Sequence, residues 1–335
     1  MGGLKTKNLE LVFFAELNFE FQPTKEIDNG KFIRNPEKPS RLKFIFEFLA
    51  KNFPAGEALS FPEDVLSLAH EEEYIRYLKT KSAQVEGEYI PEVFFIDKVY
   101  DTGTPILRQT FEAAKRAVDT VLSAVEYSVA SKQITYALTR PPGHHAMKSY
   151  AGGYCYFNNV AVAGRYLENK GMKVAILDLD FHHGNGTQDI FYHDPNVLFV
   201  SLHGTPEEFY PWFSGFETEI GEGRAAGLNL NIPLPRGTNG AKYIEALRAG
   251  CKKIREFKPD YLLVSLGTDT HIDDPVGKFS LIDKDYILIG AELSKLCETV
   301  PLVTFVQEGG YNPRANARAV KHLLYGFFGN CAVEG

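Results

Sequence analysis

The chain runs to 335 residues with 44% hydrophobic and 24% charged side chains, the balance of a soluble globular protein of one large domain or two ordinary ones, not of a disordered or fibrous chain. A formal charge of -7 argues against a dedicated nucleic-acid binder, which needs a basic surface, and suits a cationic substrate or none in particular. The four cysteines, Cys155, Cys251, Cys297 and Cys331, form no close pair and no CxxC, so neither a disulfide framework nor a thiolate zinc site is readable; without a leader pattern or an apolar run of membrane-spanning length, a reducing cytoplasm is the expected compartment, with no membrane partner.

In chain order, a β-branched apolar run at residues 9–14 predicts a first strand. A long helical period follows at 105–129, then a strand at 134–138 and a helix at 159–170. Strands are predicted at 174–179 and 197–202, a helix at 241–257, a strand at 261–266, a helix at 284–298 and a strand at 302–306. Several of these runs are apolar almost without a break, as strands buried on both faces are. The alternation predicts a single α/β domain over 1–335, with a mainly parallel central sheet and helices on both faces. Ligands of such sheets bind outside the carboxyl ends of the strands, and the unusual residues of this chain cluster there.

After the strand ending near Leu138 comes Arg140-Pro141-Pro142-Gly143-His144-His145, where a stiff turn aims two adjacent histidines, the natural proton carriers near neutral pH. After the next strand, Asp178, Asp180 and His182 alternate and are expected on one face, a costly grouping unless it binds something. Carboxylate and imidazole suit zinc or a similar divalent ion. Asp269, behind Ser265-Leu266-Gly267-Thr268, is an ordinary turn or cap residue read alone, but it can supply a third ligand and leave a coordination position open for water. Glu308-Gly309-Gly310-Tyr311 closes the last strand; its tyrosine is either a packed turn residue or a donor to a developing oxyanion. Aromatic clusters at 152–157 and 209–213 are core or the walls of an apolar channel.

Taken together, the motifs RPPGHH, GGYCYFNN, DLDFHHGNGTQ, VSLHG, SLGTDT and EGGY, standing in order from Ala137 to Tyr311, resemble the histone deacetylase superfamily, with its arginase–deacetylase fold. Weaker similarity reaches back through Asp101, Tyr74 and His70 to Arg41. The stretch 203–221 is most similar to the bacterial acetylpolyamine amidohydrolases. The resemblance implies a metal-dependent amidohydrolase releasing acetate from a small acetylated amine or an acetyl-lysine side chain. It implies Asp180, His182 and Asp269 as ligands of zinc, with iron(II) or cobalt(II) compatible with the same donors. It implies His145 as general base and acid, His144 paired with Asp178 beside it, and Tyr311 as the hydroxyl donor. Tyr154 and Tyr210 would line a substrate tunnel beside Gly153 and Asp101. Potassium would sit at an inner site of Asp178, Asp180, His182, Ser201 and Leu202, and a second cation at Phe191, Asp194, Val197 and Leu228. A homodimer is left open.

Three departures qualify the resemblance. Asn185 stands where many animal deacetylases carry Asp; it can orient His145 but not stabilise its imidazolium as a carboxylate would. Val276 stands where one polyamine-selective relative type places a Glu gatekeeper. The segment 85–98 looks short, though its Glu86, Glu88 and Glu92 are expected at the tunnel entrance, where they would attract distal ammonium groups. The rival within the fold is a ureohydrolase of the arginase or agmatinase type, whose two bridged metals need a Ser-x-Asp-x-Asp pattern; here Leu266 and Gly267 follow Ser265. The rival outside catalysis is a binding module for acetylated ligands, which would be expected to have lost Tyr311, His145 or a metal ligand.

Overall fold

The structure is a computed structural model that describes residues 11–28, 30–91 and 97–329. Glu92 and Cys331 therefore lie outside the described residues. In chain order the elements are β1 (Leu11–Glu16), β2 (Lys25–Asp28), β3 (Lys31–Arg34), α1 (Ser40–Asn52), α2 (Glu72–Gln84), β4 (Glu88–Tyr89), β5 (Ile106–Leu107), α3 (Thr110–Ser131) and β6 (Ile134–Thr139). Then follow α4 (Asn159–Asn169), β7 (Val174–Asp178), α5 (Asn185–Phe191), β8 (Val197–Gly204), β9 (Asn229–Leu234), α6 (Gly240–Phe257), β10 (Tyr261–Leu266), α7 (Asp283–Cys297), β11 (Leu302–Gln307) and α8 (Pro313–Phe328).

Seven strands form one sheet in the order β1-β6-β11-β10-β7-β8-β9, with every neighbouring pair parallel. Strands β1, β6, β7, β8, β10 and β11 each divide their side chains between two cores. In β7, Ala175 and Leu177 join one apolar cluster while Val174 and Ile176 join the other; in β10, Leu262 and Val264 oppose Tyr261 and Leu263. Side chains of α1, α6, α7 and α8 complete the first cluster and those of α2, α3 and α4 the second. Burial on both faces is why these strands read as unbroken apolar runs. Among the described residues no helix is long and apolar enough to cross a membrane.

The expected helix at 105–129 begins later, because Ile106–Leu107 pairs with Glu88–Tyr89 as a short antiparallel ribbon before α3 starts at Thr110. Elements without an apolar signature also appear. Strand β9 pairs with β8 at the sheet edge although it carries Asn229, Asn231 and Pro233; both asparagine side chains donate to Gln188 Oε1, so its polar residues are satisfied inside. Strands β2 and β3 form a separate antiparallel hairpin. The carboxyl ends of β6, β11, β10 and β7 lie side by side at the middle of the sheet.

Candidate active site

Asp178 ends β7, and the chain leaves the strand as a run of side chains folded back onto its own amides. Asp178 Oδ1 accepts from Asp180 N at 3.1 Å, and Asp180 Oδ1 from His182 N at 2.9 Å. Asp180 Oδ2 accepts from Gly309 N at 2.7 Å, and Asp269 Oδ1 from Phe181 N at 3.0 Å, so loops from β7, β10 and β11 are laced together. His182 Nδ1 lies 3.1 Å from Asp269 Oδ2 and 3.3 Å from Asp180 Oδ1. One ligand atom from each of the three residues lies within 4.8 Å of the others. A Cβ at Gly309 would stand 2.5 Å from Asp180 Oδ2 and 2.7 Å from Asp269 Oδ2, so only glycine leaves the carboxylates their room.

Two fully buried carboxylates against one imidazole leave an excess of negative charge. Burial and the neighbouring Asp180 push the Asp269 carboxyl well above its ordinary range. A divalent cation relieves the same excess with both acids ionised, and the oxygen and nitrogen donor set fits one. Of the three alternating residues after β7, Asp178 is not part of this group. Its Oδ2 lies 3.0 Å from His144 Nδ1 instead. Burial opposes a charge on His144, but Asp178 and Asp180 together raise its pKa to about 10.

His145 lies beside His144, with ring centroids 4.0 Å apart, and 5.9 Å from the ring of His182. Its Nδ1 is 2.7 Å from Asn185 Oδ1, while Asn185 Nδ2 donates to the Tyr100 hydroxyl at 3.2 Å. With the amide oxygen facing it, Nδ1 carries the ring proton and Nε2 keeps its lone pair. Burial, followed by the charges of His144 and His182, holds the His145 pKa well below its usual value. Behind these rings, Glu308 Oε2 accepts from Gly143 N at 2.7 Å and His144 N at 3.2 Å, fixing the turn that delivers both histidines.

These groups open into a cavity of about 670 Å³. Tyr210 packs edge-on to His145 at 5.0 Å, and Tyr154 packs against Tyr311 at 5.7 Å. Asp101 Oδ2 accepts from the Tyr210 hydroxyl and from Gly153 N, both at 2.6 Å, so a single carboxylate ties the two walls together. Tyr311 is fixed from its other sides. Asp274 Oδ2 accepts from its amide at 2.6 Å, and the Arg41 guanidinium lies 4.7 Å from its ring centre. Arg41 in turn donates to the carbonyls of Gly310 and Glu308, both at 2.6 Å, and to Glu37 Oε1 at 2.9 Å. Glu37 also accepts from Arg140, so these three fully buried ions bind the segment before α1 to the exits of β6 and β11. Val276 lines the cavity without a charge.

One expectation is placed elsewhere. Glu86 and Glu88 lie in a different, smaller depression with Lys81 and Tyr89, not at the cavity mouth; Glu88 is taken up by Thr24, whose amide donates to Oε1 at 2.9 Å and whose hydroxyl donates to Oε2 at 2.5 Å. Glu26 and Asp28, on β2, line the cavity together with Asp101. They alternate across Ile27 ahead of an Asn29-Gly30 dipeptide, a hairpin signature that could have placed them. In the second expected cation group, Asp194 is ion-paired to Arg165, and the carbonyls of Phe191 and Leu228 already accept amide hydrogens at 2.9 Å each. In the inner group, Ser201 is the register partner of Asp178 across β7 and β8, with Leu202 beside it.

Residues 35–327 match the histone deacetylase domain family. The chain is 35% identical over 330 residues to acetylpolyamine amidohydrolase 2 of Pseudomonas aeruginosa, covering 91% of this chain and 94% of that one. It is 36% identical over 346 residues to the acetylpolyamine amidohydrolase of Mycoplana ramosa, covering 95% and 99%. The crystal structure of acetylpolyamine aminohydrolase from Burkholderia pseudomallei superposes with a TM-score of 0.89 at 30% identity, over 96% of this chain and 99% of that one.

Proposed function

The chain belongs to the histone deacetylase family, and we propose that it removes acetyl groups from N-acetylated amines by hydrolysis, with Asp180, His182 and Asp269 holding one divalent ion. The observation that carries this reading is that the trio meets His145 at one cavity, which His182 and His145 line together with Tyr154 and Tyr210. Zinc, iron(II) or cobalt(II) in that position would polarise the acetyl carbonyl and acidify a water. His145 Nε2 takes the proton of the attacking water and later gives it to the departing amine. Asn185 holds the tautomer this requires, and His144 with Asp178 sets the charge behind it. Tyr311, braced by Arg41 and Asp274, donates its hydroxyl to the oxyanion of the tetrahedral intermediate. The C–N bond breaks, giving acetate and a free amine. Asp178, Asp180, His182, Ser201 and Leu202 would hold potassium.

The substrate class is a small acetylated amine; a protein lysine side chain is the alternative. A ureohydrolase fails for want of ligands. Gly267 occupies a position that such an enzyme fills with an acid, and a Cβ there would stand 2.0 Å from Asp180 Oδ2. The test is metal analysis together with rates on acetylated 1,4-diaminobutane, an acetyl-lysine peptide and a neutral N-alkylacetamide. One bound divalent ion and hydrolysis of acetyl amides support the reading; no hydrolysis of any of them by metal-loaded protein refutes it.

A further inference from the structure

An asparagine beside His145 brings an ambiguity that an aspartate would not. A carboxylate presents an oxygen whichever way it is turned, but an amide presents either an oxygen or an NH2 group. With Asn185 Oδ1 toward it, His145 Nδ1 holds the ring proton and Nε2 a lone pair; with Nδ2 toward it, the proton moves to Nε2 and the base is blocked. The group on the far side of the amide is Tyr100, as fully buried as Asn185. The Tyr100 hydroxyl donates to the His145 carbonyl at 3.0 Å and accepts from Asn185 Nδ2 at 3.2 Å. A hydroxyl has one hydrogen, and the carbonyl can only accept it, so the Tyr100 oxygen meets Asn185 as an acceptor. The Tyr210 hydroxyl competes for the same hydrogen, since its own goes to Asp101, and that contact also leaves Tyr100 an acceptor toward Asn185.

We propose that Tyr100 is a positioning residue that selects the tautomer of His145 by holding the Asn185 amide with its oxygen toward the imidazole. Its use in catalysis rests on the deacetylase reading above. The three bonds form a circuit that begins and ends on one residue. His145 Nδ1–H donates to Asn185 Oδ1, Asn185 Nδ2 donates to Tyr100, and Tyr100 donates to the His145 carbonyl. The carbonyl cannot donate, so every other direction in the circuit is fixed by it. Reversing the amide would set its oxygen against the Tyr100 lone pairs or take the hydrogen away from the carbonyl, and either leaves a buried acceptor unpaired. The tyrosine is itself held. Its amide donates to Ala151 O at 3.0 Å, and its ring lies 6.2 Å from the Tyr210 ring, stacked, and 5.6 Å from Phe213, edge-on. A Cβ at Gly152 would stand 2.1 Å from Tyr100 Cζ. The adjacent glycines thus have separate tasks: Gly152 admits the tyrosine ring and Gly153 the imidazole.

Tyr100→Phe keeps the ring and removes the hydroxyl. NMR of the zinc-loaded protein labelled with ¹⁵N-histidine distinguishes a protonated ring nitrogen from a bare one, and the His145 signals are assigned by their loss in His145→Gln. The unmodified protein is expected to carry the neutral-ring proton on Nδ1. Pairing a buried acceptor corresponds to a factor of about 10 to 100, and in Tyr100→Phe the balance is expected to shift toward the Nε2–H form by that factor, with kcat falling about tenfold and KM holding. A second comparison separates orientation from mere loosening of the loop. Because a carboxylate needs no orienting, Tyr100→Phe made in Asn185→Asp is expected to cost less than about threefold relative to Asn185→Asp alone. The Nδ1–H form persisting undiminished in Tyr100→Phe, or the same loss of kcat in both backgrounds, overturns the proposal and leaves the deacetylase reading standing. Failure of the unmodified, metal-loaded protein to hydrolyse any acetyl amide overturns that reading, and the NMR comparison, which needs no turnover, still decides whether Tyr100 sets the tautomer.

Discussion

One added methyl group separates the position of His145 from everything else about the site. Gly153 has φ +56°, and a Cβ built on it would lie 2.1 Å from His145 Cδ2 and 2.5 Å from Cγ. Ordinary contact begins near 3.4 Å, so in Gly153→Ala the imidazole must retreat by more than 1 Å or the loop must move with its hydrogen bond to Asp101. A displacement of that size in a catalytic group costs on the order of 10²-fold in rate. The left-handed backbone adds about 1–2 kcal/mol of instability. Gly223→Ala isolates that second effect, because Gly223 has φ +60° and nothing within 4 Å of its Cβ position. Both variants are expected to lose a few degrees of thermal stability. Only Gly153→Ala is expected to lose about 10²-fold in kcat, with its metal content intact, since no metal ligand is touched. A Gly153→Ala enzyme with near-normal turnover, or one no slower than Gly223→Ala, would refute the claim that the His145 ring must stand where it does.

Other substitutions probe the remaining parts. Asp269→Ala is expected to lose the bound ion and the activity together; elemental analysis showing a full complement, or two ions in the unmodified chain, contradicts the single-ion centre. Tyr311→Phe keeps the ring beneath Arg41 and the backbone N–H hydrogen bond to Asp274, so metal and fold should persist while kcat drops about 10²- to 10³-fold.

The strands at the heart of the sheet were legible because burial on both faces forces a continuous apolar run, and Tyr261–Leu266 has the bounds its sequence predicts. The exits of those strands were legible for a related reason: adjacent histidines, or alternating acids behind a buried strand, have few uses except at a ligand. What alternation could not settle was the direction of Asp178, which shares its face with Asp180 and His182 in an extended chain. It turns to His144 because that imidazole comes from another strand, 34 residues away in sequence. The hairpin at the cavity mouth was missed for the same reason in stronger form. The Asn29-Gly30 dipeptide marks the turn, but the approach of Glu26 to Tyr154, 128 residues distant, is encoded in no local pattern. Helix α8 carried a readable signal, an Asn312 cap accepting from Arg314 N and Ala315 N with proline at its first turn. Strand β9 did not, since its inward asparagines are satisfied by Gln188, a residue of α5.

The strand order also bears on how the molecule comes into being. Strand β6 supplies the histidine pair and β7 leads to two of the three acidic or imidazole ligands, yet these strands are not neighbours: β11 and β10 stand between them. Both intervening strands are encoded later, so a chain growing from its amino terminus has the outer thirds of the site before it has the middle. Until residues 302–307 pair with β6 and β10, the facing edges of β6 and β10 lack their final partners. Long-range parallel pairing of this kind is slow because loop closure precedes its reward, and the waiting edges invite association with other chains. The catalytic centre is thus the last part of the sheet to be completed during synthesis, and a chain interrupted before β11 carries all three candidate metal ligands without the strand that holds them in place.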